Sequence, residues 1–353
     1  MRFHKGLMLA LGMLFALQAA ADCPFNIPIK TLAPHTVNGY SWGNVIRPQN
    51  DACISHIAVE PTQTTAWYAG GFFGLYMTKT NGLTWTKPLN GNVGALLLVP
   101  GDGINPQLVY VGIANRLYLS RDNGTNWTLI RTFSFPVSSL LVSESKLFVG
   151  LAWSDHVNPS GVYVSNLGGG GMTFKPFGPT HTGLIVWTLS RDAQNDVLYA
   201  GTEIFDHPQP YKPPFFRSPN DGGMWTNVNQ FGALPWHVID SDVRPGDGYV
   251  YALTEGLGVY GSPTMGSSWI PPTLSPGLGV TMLMDPQLTT RLYVGRHEFG
   301  TLNGGLFLSN DSGATYTVIG LEDVTVAGVA LNGAGTRIYA ATYGSGIYVA
   351  NVP

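Results

Sequence analysis

Cysteine is nearly absent from this chain of 353 residues: there are two, Cys23 and Cys53. That excludes zinc ribbons, iron–sulfur ligation and thiol nucleophiles built from several cysteines. Charge is scarce as well. Asp, Glu, Lys and Arg make up 11% of the residues, against about 25% in an ordinary soluble domain. With a formal net charge of −3 there is no basic stripe to follow a phosphate backbone, which excludes nucleic acid as a partner. Past the N-terminus no apolar run approaches the ~18 residues of a spanning helix. What the chain does have is 45 glycines, 25 prolines and 44% hydrophobic residues, 12% of the total being aromatic. This is the composition of a packed, turn-rich β-protein.

The first 21 residues are set aside before the fold is considered. Arg2, His4 and Lys5 precede an apolar run from Leu7 to Leu17, and Ala19-Ala20-Ala21 follows. The pattern predicts a secretory signal peptide over 1–21, a mature domain over 22–353, and export to the periplasm or the extracellular space. In an oxidising compartment the two cysteines have only each other, so a Cys23–Cys53 disulfide is expected.

The strongest signal is internal repetition. An apolar–aromatic–small phrase, often ending in Gly, recurs around Tyr68, Tyr110, Phe148, Tyr199, Tyr251, Tyr293 and Tyr339, at separations of 42, 38, 51, 52, 42 and 46 residues. Periods of this size belong to propeller blades, and the alternation between Gly/Asn/Asp turns is strand chemistry. A second strand follows most of the markers, as at Leu117-Tyr118-Leu119 and Leu306-Phe307-Leu308.

After that strand comes Ser120-Arg121-Asp122-Asn123-Gly124-Thr125-Asn126-Trp127, which has the form S-x-D-x-G-x-x-W. Variants run from Thr78 to Trp85, Ser218 to Trp225, Ser262 to Trp269 and Ser309 to Tyr316, while the third repeat passes from Ser165-Asn166-Leu167 into four glycines. The motif resembles the Asp-box (BNR) repeats of sialidase-like β-propellers. The resemblance implies that Asp122, Gly124, Trp127, Asp221, Trp225, Asp311 and Gly313 are structural. The acid caps the turn, Gly takes the positive φ and the aromatic packs between blades.

The last repeat ends at Asn351-Val352-Pro353, where its box should begin, whereas Asn38 to Val45 reads like the second half of a box with the strand after it. The expected architecture is therefore all-β: a single seven-bladed propeller of four-stranded antiparallel blades, closed by an N-terminal strand.

Loop lengths carry the functional signal. The connection between second and third strands is short in blades one, two, five and seven. It is long in blade three (Trp153, Asp155, His156), blade four (Asp206, His207, Tyr211, Phe216) and blade six (Arg296, His297, Glu298). These residues are candidate ligand contacts on one rim, since exposed His, carboxylate and aromatic side chains suit sugars or peptides. Their Asp and His residues lack the spacing of a metal signature, so neither a metal nor a cofactor is expected.

Known catalytic sets do not transfer. Sialidases place an Arg-Ile-Pro phrase ahead of the first blade, and here the order is Ile46-Arg47-Pro48. The opening blade is also similar to that of the xyloglucanases, through Tyr40 to Val45 and Trp67-Tyr68-Ala69. At the position of their acid/base Asp, however, stand Gly71-Phe72. Carboxylates do follow the same phrase in Thr202-Glu203 and Thr254-Glu255, which makes Glu203 and Glu255 a candidate catalytic pair on adjacent blades. Three readings stay open. One is a monomeric binding or assembly module for a protein or polysaccharide ligand. Another is a glycoside hydrolase or lyase using Glu203 and Glu255, or Asp155 and Glu298, with Trp153, Trp187, Trp236 and Phe216 as sugar platforms. The third is a passive surface protein.

Overall fold

The computed structural model describes residues 30–61, 65–101, 107–152, 159–204, 215–228, 237–254, 256–272, 279–297 and 304–353. Seven antiparallel sheets follow one another along the chain. Their innermost strands are Ile54–Val59, Val93–Val99, Val137–Ser143, Leu184–Asp192, Val238–Val243, Gly279–Met284 and Thr325–Leu331. Among the described residues the only helical element is a 3-10 turn at Pro48–Asn50. Among the described residues no helix is long and apolar enough to cross a membrane.

Each aromatic marker falls in the second strand of its blade, which is packed on both faces. Trp67–Gly71, Leu108–Ile113, Val250–Thr254 and Leu292–Arg296 are buried along their whole length. The glycine two positions after the marker has a steric cause. A Cβ on Gly70, Gly112, Gly150 or Gly201 would stand 2.5–2.8 Å from Val93, Val137, Val186 or Val238, a β-branched residue near the start of the next blade's innermost strand, first in three blades and third in blade four. Between blades five and six the sizes are exchanged, with Leu253 filling the marker strand and Gly279 receiving it. At the last junction Ala341 faces Ile54 within one cluster. Blade-to-blade packing is thus a large-into-small fit whose two halves trade places. Overpacking such a contact costs about 1–3 kcal/mol. Gly112→Leu should therefore destabilise by at least that amount, and adding Val137→Gly should recover part of it; simple additivity in a double-mutant cycle measured by urea unfolding would contradict the fit.

The S-x-D-x-G-x-x-W turns are hydrogen-bonded hairpins. In blade two, Gly124 N–H donates to Ser120 Oγ (2.9 Å), Asn126 N–H to Asp122 Oδ1 (2.8 Å) and Trp127 Nε1–H to Gly124 O (3.0 Å). The Asn126 donors hold the Asp122 carboxyl below the usual range. In blade six, Thr315 donors take the Asp311 carboxyl down to about 2. Gly124 and Gly313 have φ of 79° and 87°, conformations that cost glycine little. Blade four departs from expectation. The capping oxygen belongs to Asn220, which accepts Met224 N–H at 2.7 Å, while Asp221 occupies the positive-φ position (55°) and pairs with Lys146. The indole of Trp225 packs edge-on to Phe177. Blade three keeps its turn without the full motif, because Asn166 Oδ1 accepts the N–H groups of Gly168 and Gly170.

Ring closure follows the two chain ends. The last sheet has five strands, and Tyr40–Trp42 pairs antiparallel with Gly346–Asn351 through Ser41↔Asn351 and Trp42↔Ala350. The additional strand, His35–Val37, lies outside it. Trp42 closes the junction by donating its Nε1–H to Ile319 O (2.6 Å) in blade six. Blade five has three regular strands, and a bridge between Gly261 and Ile270 stands in the fourth position. Cys53 is buried and is not a free thiol; Cys23 and residues 1–21, where a signal peptide is expected, lie outside the described residues.

Candidate functional site

All seven innermost strands share one irregularity. Each slips register by one residue against its neighbour, at Ser55, Gly94, Ser138, Trp187, Ile239, Val280 and Ala327. A bulge bends a strand and re-aims its side chains. Seven at one level form a ring around the axis. The bulge residues and those that follow them (His56, Ala95, Ser139, Thr188, Asp240, Thr281 and Gly328) line a cavity of about 430 Å³. The volume is that of a small-ligand site. Phe72, Ala114, Ala152 and Tyr343 complete its wall from the ends of the second strands.

Glu203 occupies the same strand-end position in blade four that Tyr343 occupies in blade seven, as the pairings Ile185↔Glu203 and Thr325↔Tyr343 show. Trp187, the bulge residue of that blade, donates its Nε1–H to Glu203 Oε2 at 2.6 Å. His237, which precedes the innermost strand of blade five, brings Nε2 to 3.5 Å from Glu203 Oε1. Glu203 is 5% exposed and His237 9%. Burial raises the Glu203 carboxyl to about 7 despite the indole donor, and lowers the His237 imidazole to about 4. At neutral pH the histidine is therefore uncharged, and the carboxyl both holds and releases a proton.

The linkage sign follows. Between about pH 4.5 and 7 the folded chain keeps a Glu203 proton that the unfolded chain has lost. The associated stability is complete below that window and disappears as pH rises through it. His237, with its lowered value, works in the opposite sense between about 4 and 6.5. Glu203→Gln removes the first contribution alone, so the stability of the variant relative to the wild type should improve by up to about 3 kcal/mol between pH 4.5 and 8. Thermal unfolding across that range checks it, and a constant difference would contradict the assignment.

Other buried polar groups on the axis are tied to main chain. Asp240 Oδ2 accepts Met282 N–H (2.7 Å) and its Oδ1 accepts Ser241 N–H (2.8 Å); Asp242 Oδ2 accepts Met284 N–H (2.9 Å). Both acids of blade five thus clamp the innermost strand of blade six, and burial raises their carboxyls to about 7 and about 6. Opposite them, Ser55 Oγ lies 2.7 Å from His56 Nδ1, and burial lowers His56 to about 4.

The residues singled out in the sequence divide into three groups. Glu203 and Arg296 are placed at the ends of second strands, and His297 follows Arg296 with Nδ1 at 2.8 Å from Thr325 Oγ1. Phe216 is not a ligand platform: it is 0% exposed and stacked on Phe177 at 4.1 Å between centroids, in the core of blade four. Trp153, Asp155, His156, Asp206, His207, Tyr211, Trp236, Glu255 and Glu298 lie outside the described residues. Among the described residues no group of three or more His, Cys, Asp or Glu is placed to hold a metal ion. Sequence reasoning missed Asp240, Asp242 and the Ser55–His56 pair. A signal for the acids was present: aspartates at alternate positions of an otherwise apolar inner strand are too costly to bury without a fixed set of donors.

No known family model matches the chain, and no curated protein matches it by sequence. Solved structures do. YCF48, solved bound to D1 peptide, has a TM-score of 0.60 and 13% identity over 93% of this chain and 100% of its own. A GH74 xyloglucanase from Xanthomonas campestris has a TM-score of 0.63 and 16% identity over 87% of this chain and 53% of its own. An ancestral GH74 enzyme has 0.68 and 17%, over 88% and 46%. The chain spans about half the length of these GH74 enzymes. Identities this low show the fold: a seven-bladed propeller shared by peptide-binding and glycoside-hydrolase proteins.

Proposed function

We propose that this chain is an exported, monomeric Asp-box propeller that binds a protein or polysaccharide ligand at the axial mouth and the surrounding rim of long second-to-third connections. The carrying observation is the cavity itself, about 430 Å³ and walled by every blade. Apolar surface from Leu96, Leu140, Ile239 and Val329 alternates there with hydroxyls and the Trp187 indole, the mixture that holds a ligand while fixing its orientation. In this reading Trp153, Asp155, His156, Asp206, His207, Tyr211 and Glu298, which lie outside the described residues, contribute to ligand contact. The signal-peptide pattern over 1–21 supports export, and a Cys23–Cys53 bridge would tie the segment ahead of the closing strand to the entry of blade one.

Hydrolysis is the second reading, favoured by the Glu203 carboxyl raised to about 7, a value that suits a general acid. Against it, both Glu203 oxygens face protein partners, and both Asp240 oxygens accept main-chain donors. Neither is presented to a glycosidic oxygen. The test is a screen of the mature chain against peptide and glycan arrays, with polysaccharide hydrolysis measured alongside. Binding without product, unchanged in Glu203→Gln, is expected; product that this variant abolishes would establish the hydrolase reading.

A further inference from the structure

Ser55 and His56 are consecutive, yet both line the axial cavity. In a regular strand their side chains would point to opposite faces. The register slip between Ile54 and His56 brings them to one side, as a bulge does, with Ser55 Oγ 2.7 Å from His56 Nδ1. A longer contact, 3.3 Å, runs from Ser55 Oγ to Gly70 O. The imidazole is also hydrogen-bonded to the main chain of Gly94, in the sense that favours its charged form, which is how an acceptor carbonyl acts. Both ring contacts are met together when Nδ1 accepts the Ser55 hydroxyl and the other nitrogen donates to Gly94 O. From blade seven the Tyr343 phenol is hydrogen-bonded to Ser55 as well, held there by the bridge between Tyr343 and Cys53. Gly94 and Tyr343 line the same cavity.

The bulge does not need these polar groups. Gly94-Ala95 occupies the equivalent positions in blade two and Ala327-Gly328 in blade seven. Where other blades place hydroxyls there, they tie one blade to the next, as Ser139 Oγ does by donating to Val186 O at 3.0 Å. The shortest contact of Ser55 is instead with the imidazole beside it. A hydroxyl aimed at a neutral imidazole that a third group orients is the arrangement of an activated nucleophile. Burial lowers His56 to about 4, so at neutral pH it is uncharged and able to accept a proton. Burial raises the Tyr343 phenol, which therefore keeps its hydrogen. Such a donor beside the nucleophile is suited to the oxyanion that forms when a hydroxyl adds to a carbonyl.

We propose that the axial cavity carries an acyl-transfer site in which Ser55 is the nucleophile, His56 the base and Tyr343 the oxyanion donor, with Gly94 O as a positioning group. The substrate is an ester of a small carboxylic acid. A volume of about 430 Å³ and the apolar wall of Ile57, Leu96 and Val329 suit its acyl chain. Ser55 Oγ adds to the ester carbonyl carbon while its proton passes to His56 Nδ1, and the carbonyl π pair moves onto the oxygen that Tyr343 meets. Collapse of this adduct breaks the bond to the alkoxy oxygen, which leaves as the alcohol with the proton from His56. Water then adds to the acyl group on Ser55 and gives a proton to His56. Ser55 Oγ departs with that proton and the acid is released. The activity goes beyond the binding reading, because it requires only that a small ester reach Ser55.

The probe is phenylmethanesulfonyl fluoride, a small electrophile whose sulfur an activated serine oxygen attacks with loss of fluoride. The full chain is treated at neutral pH and the adduct is located by peptide mass spectrometry, beside a sample unfolded in urea. One sulfonyl group per chain, on Ser55 and absent from the urea sample, is the expected result. No adduct on Ser55, or the same scatter over serines in both samples, would overturn the proposal. This labelling needs no variant to fold. Turnover of p-nitrophenyl acetate is the second readout. Ser55→Ala and His56→Gln should each lower it by about a hundredfold or more, and Tyr343→Phe by about a hundredfold, in variants whose melting temperatures show them folded. Undiminished turnover in folded Ser55→Ala would equally overturn the site. An adduct on Ser55 in a chain that binds no array ligand leaves the site standing and the binding reading fallen; array binding without the adduct does the reverse.

Discussion

Asp240→Ala should lower the stability of the propeller by about 3–5 kcal/mol, the range for removing one partner from a buried charged network. The side chain links three consecutive blades. From blade five it accepts Met282 N–H in blade six, and it lies within 3.3 Å of Thr188 Oγ1 in blade four. Alanine leaves the Met282 donor buried without its acceptor, at about 1–3 kcal/mol, and leaves Ser241 N–H only its longer bond to Thr188 Oγ1 (3.2 Å). Asp240→Asn should cost less, since one amide oxygen still reaches Met282. The comparison also has a pH signature. Because burial raises the carboxyl to about 7, the folded wild type retains a proton between about pH 4 and 7 that the unfolded chain has released. Wild-type stability from this group is full below that window and lost above it, whereas asparagine does not titrate. The penalty of Asp240→Asn should therefore shrink as pH rises from 4 to 8, as urea denaturation at several pH values will show. A penalty that grows with pH would mean the carboxylate is stabilised as the anion.

The second large effect concerns closure. Trp42 is 2% exposed, packs with Leu321, Val324 and Ile338, and donates to Ile319 O. Trp42→Ala should cost about 3–5 kcal/mol as a large-to-small core change, with the Ile319 carbonyl left unpaired as well. Removing residues 22–43 should do more. It uncovers the outer edge of Gly346–Asn351, whose residues Ile347 and Tyr348 are fully buried in the closed ring, and an exposed apolar edge recruits other chains. Light scattering should then show aggregates at concentrations where the intact chain shows none. A soluble monomer with an unchanged melting temperature would contradict closure by this strand.

Most of this architecture could be read from the sequence because the residues that repeat are those that every blade needs identically. The marker strand must be apolar on both faces, so Tyr68 to Tyr339 announce themselves. The turn after the third strand needs a hydroxyl, an oxygen acceptor and a glycine in fixed order, so Ser120, Asp122 and Gly124 do too. Blade four shows the limit of such a pattern. Asn220 and Asp221 are adjacent and chemically alike, and only the backbone decides which of them caps. Phe216 was misplaced for a related reason, since an aromatic beside a long connection looks the same whether it ends the loop or begins the strand.

The axis was not legible. Innermost strands share a bulge rather than a residue, so Ser55, Gly94, Trp187 and Ala327 have nothing in common in sequence. A bulge is a property of register between two strands. Glu203 was found because it follows a repeated phrase. His237 and Trp187 engage it from another blade and another strand, a proximity that only the ring creates. Arg296 stands out in the sequence as one basic residue in a long connection, but its burial over the Phe307 ring appears only once the neighbouring strand is in place.

The central claim is that the axial mouth is where the ligand binds, and Ala327→Trp tests it most directly. Ala327 is the bulge residue of blade seven and lines the cavity, so an indole there takes up space that a ligand would need. The measurement is the affinity of this variant for whichever array ligand the wild type retains. A loss of at least tenfold, with melting temperature within a few degrees of wild type, is the predicted result; undiminished affinity in the folded variant would place binding elsewhere on the propeller.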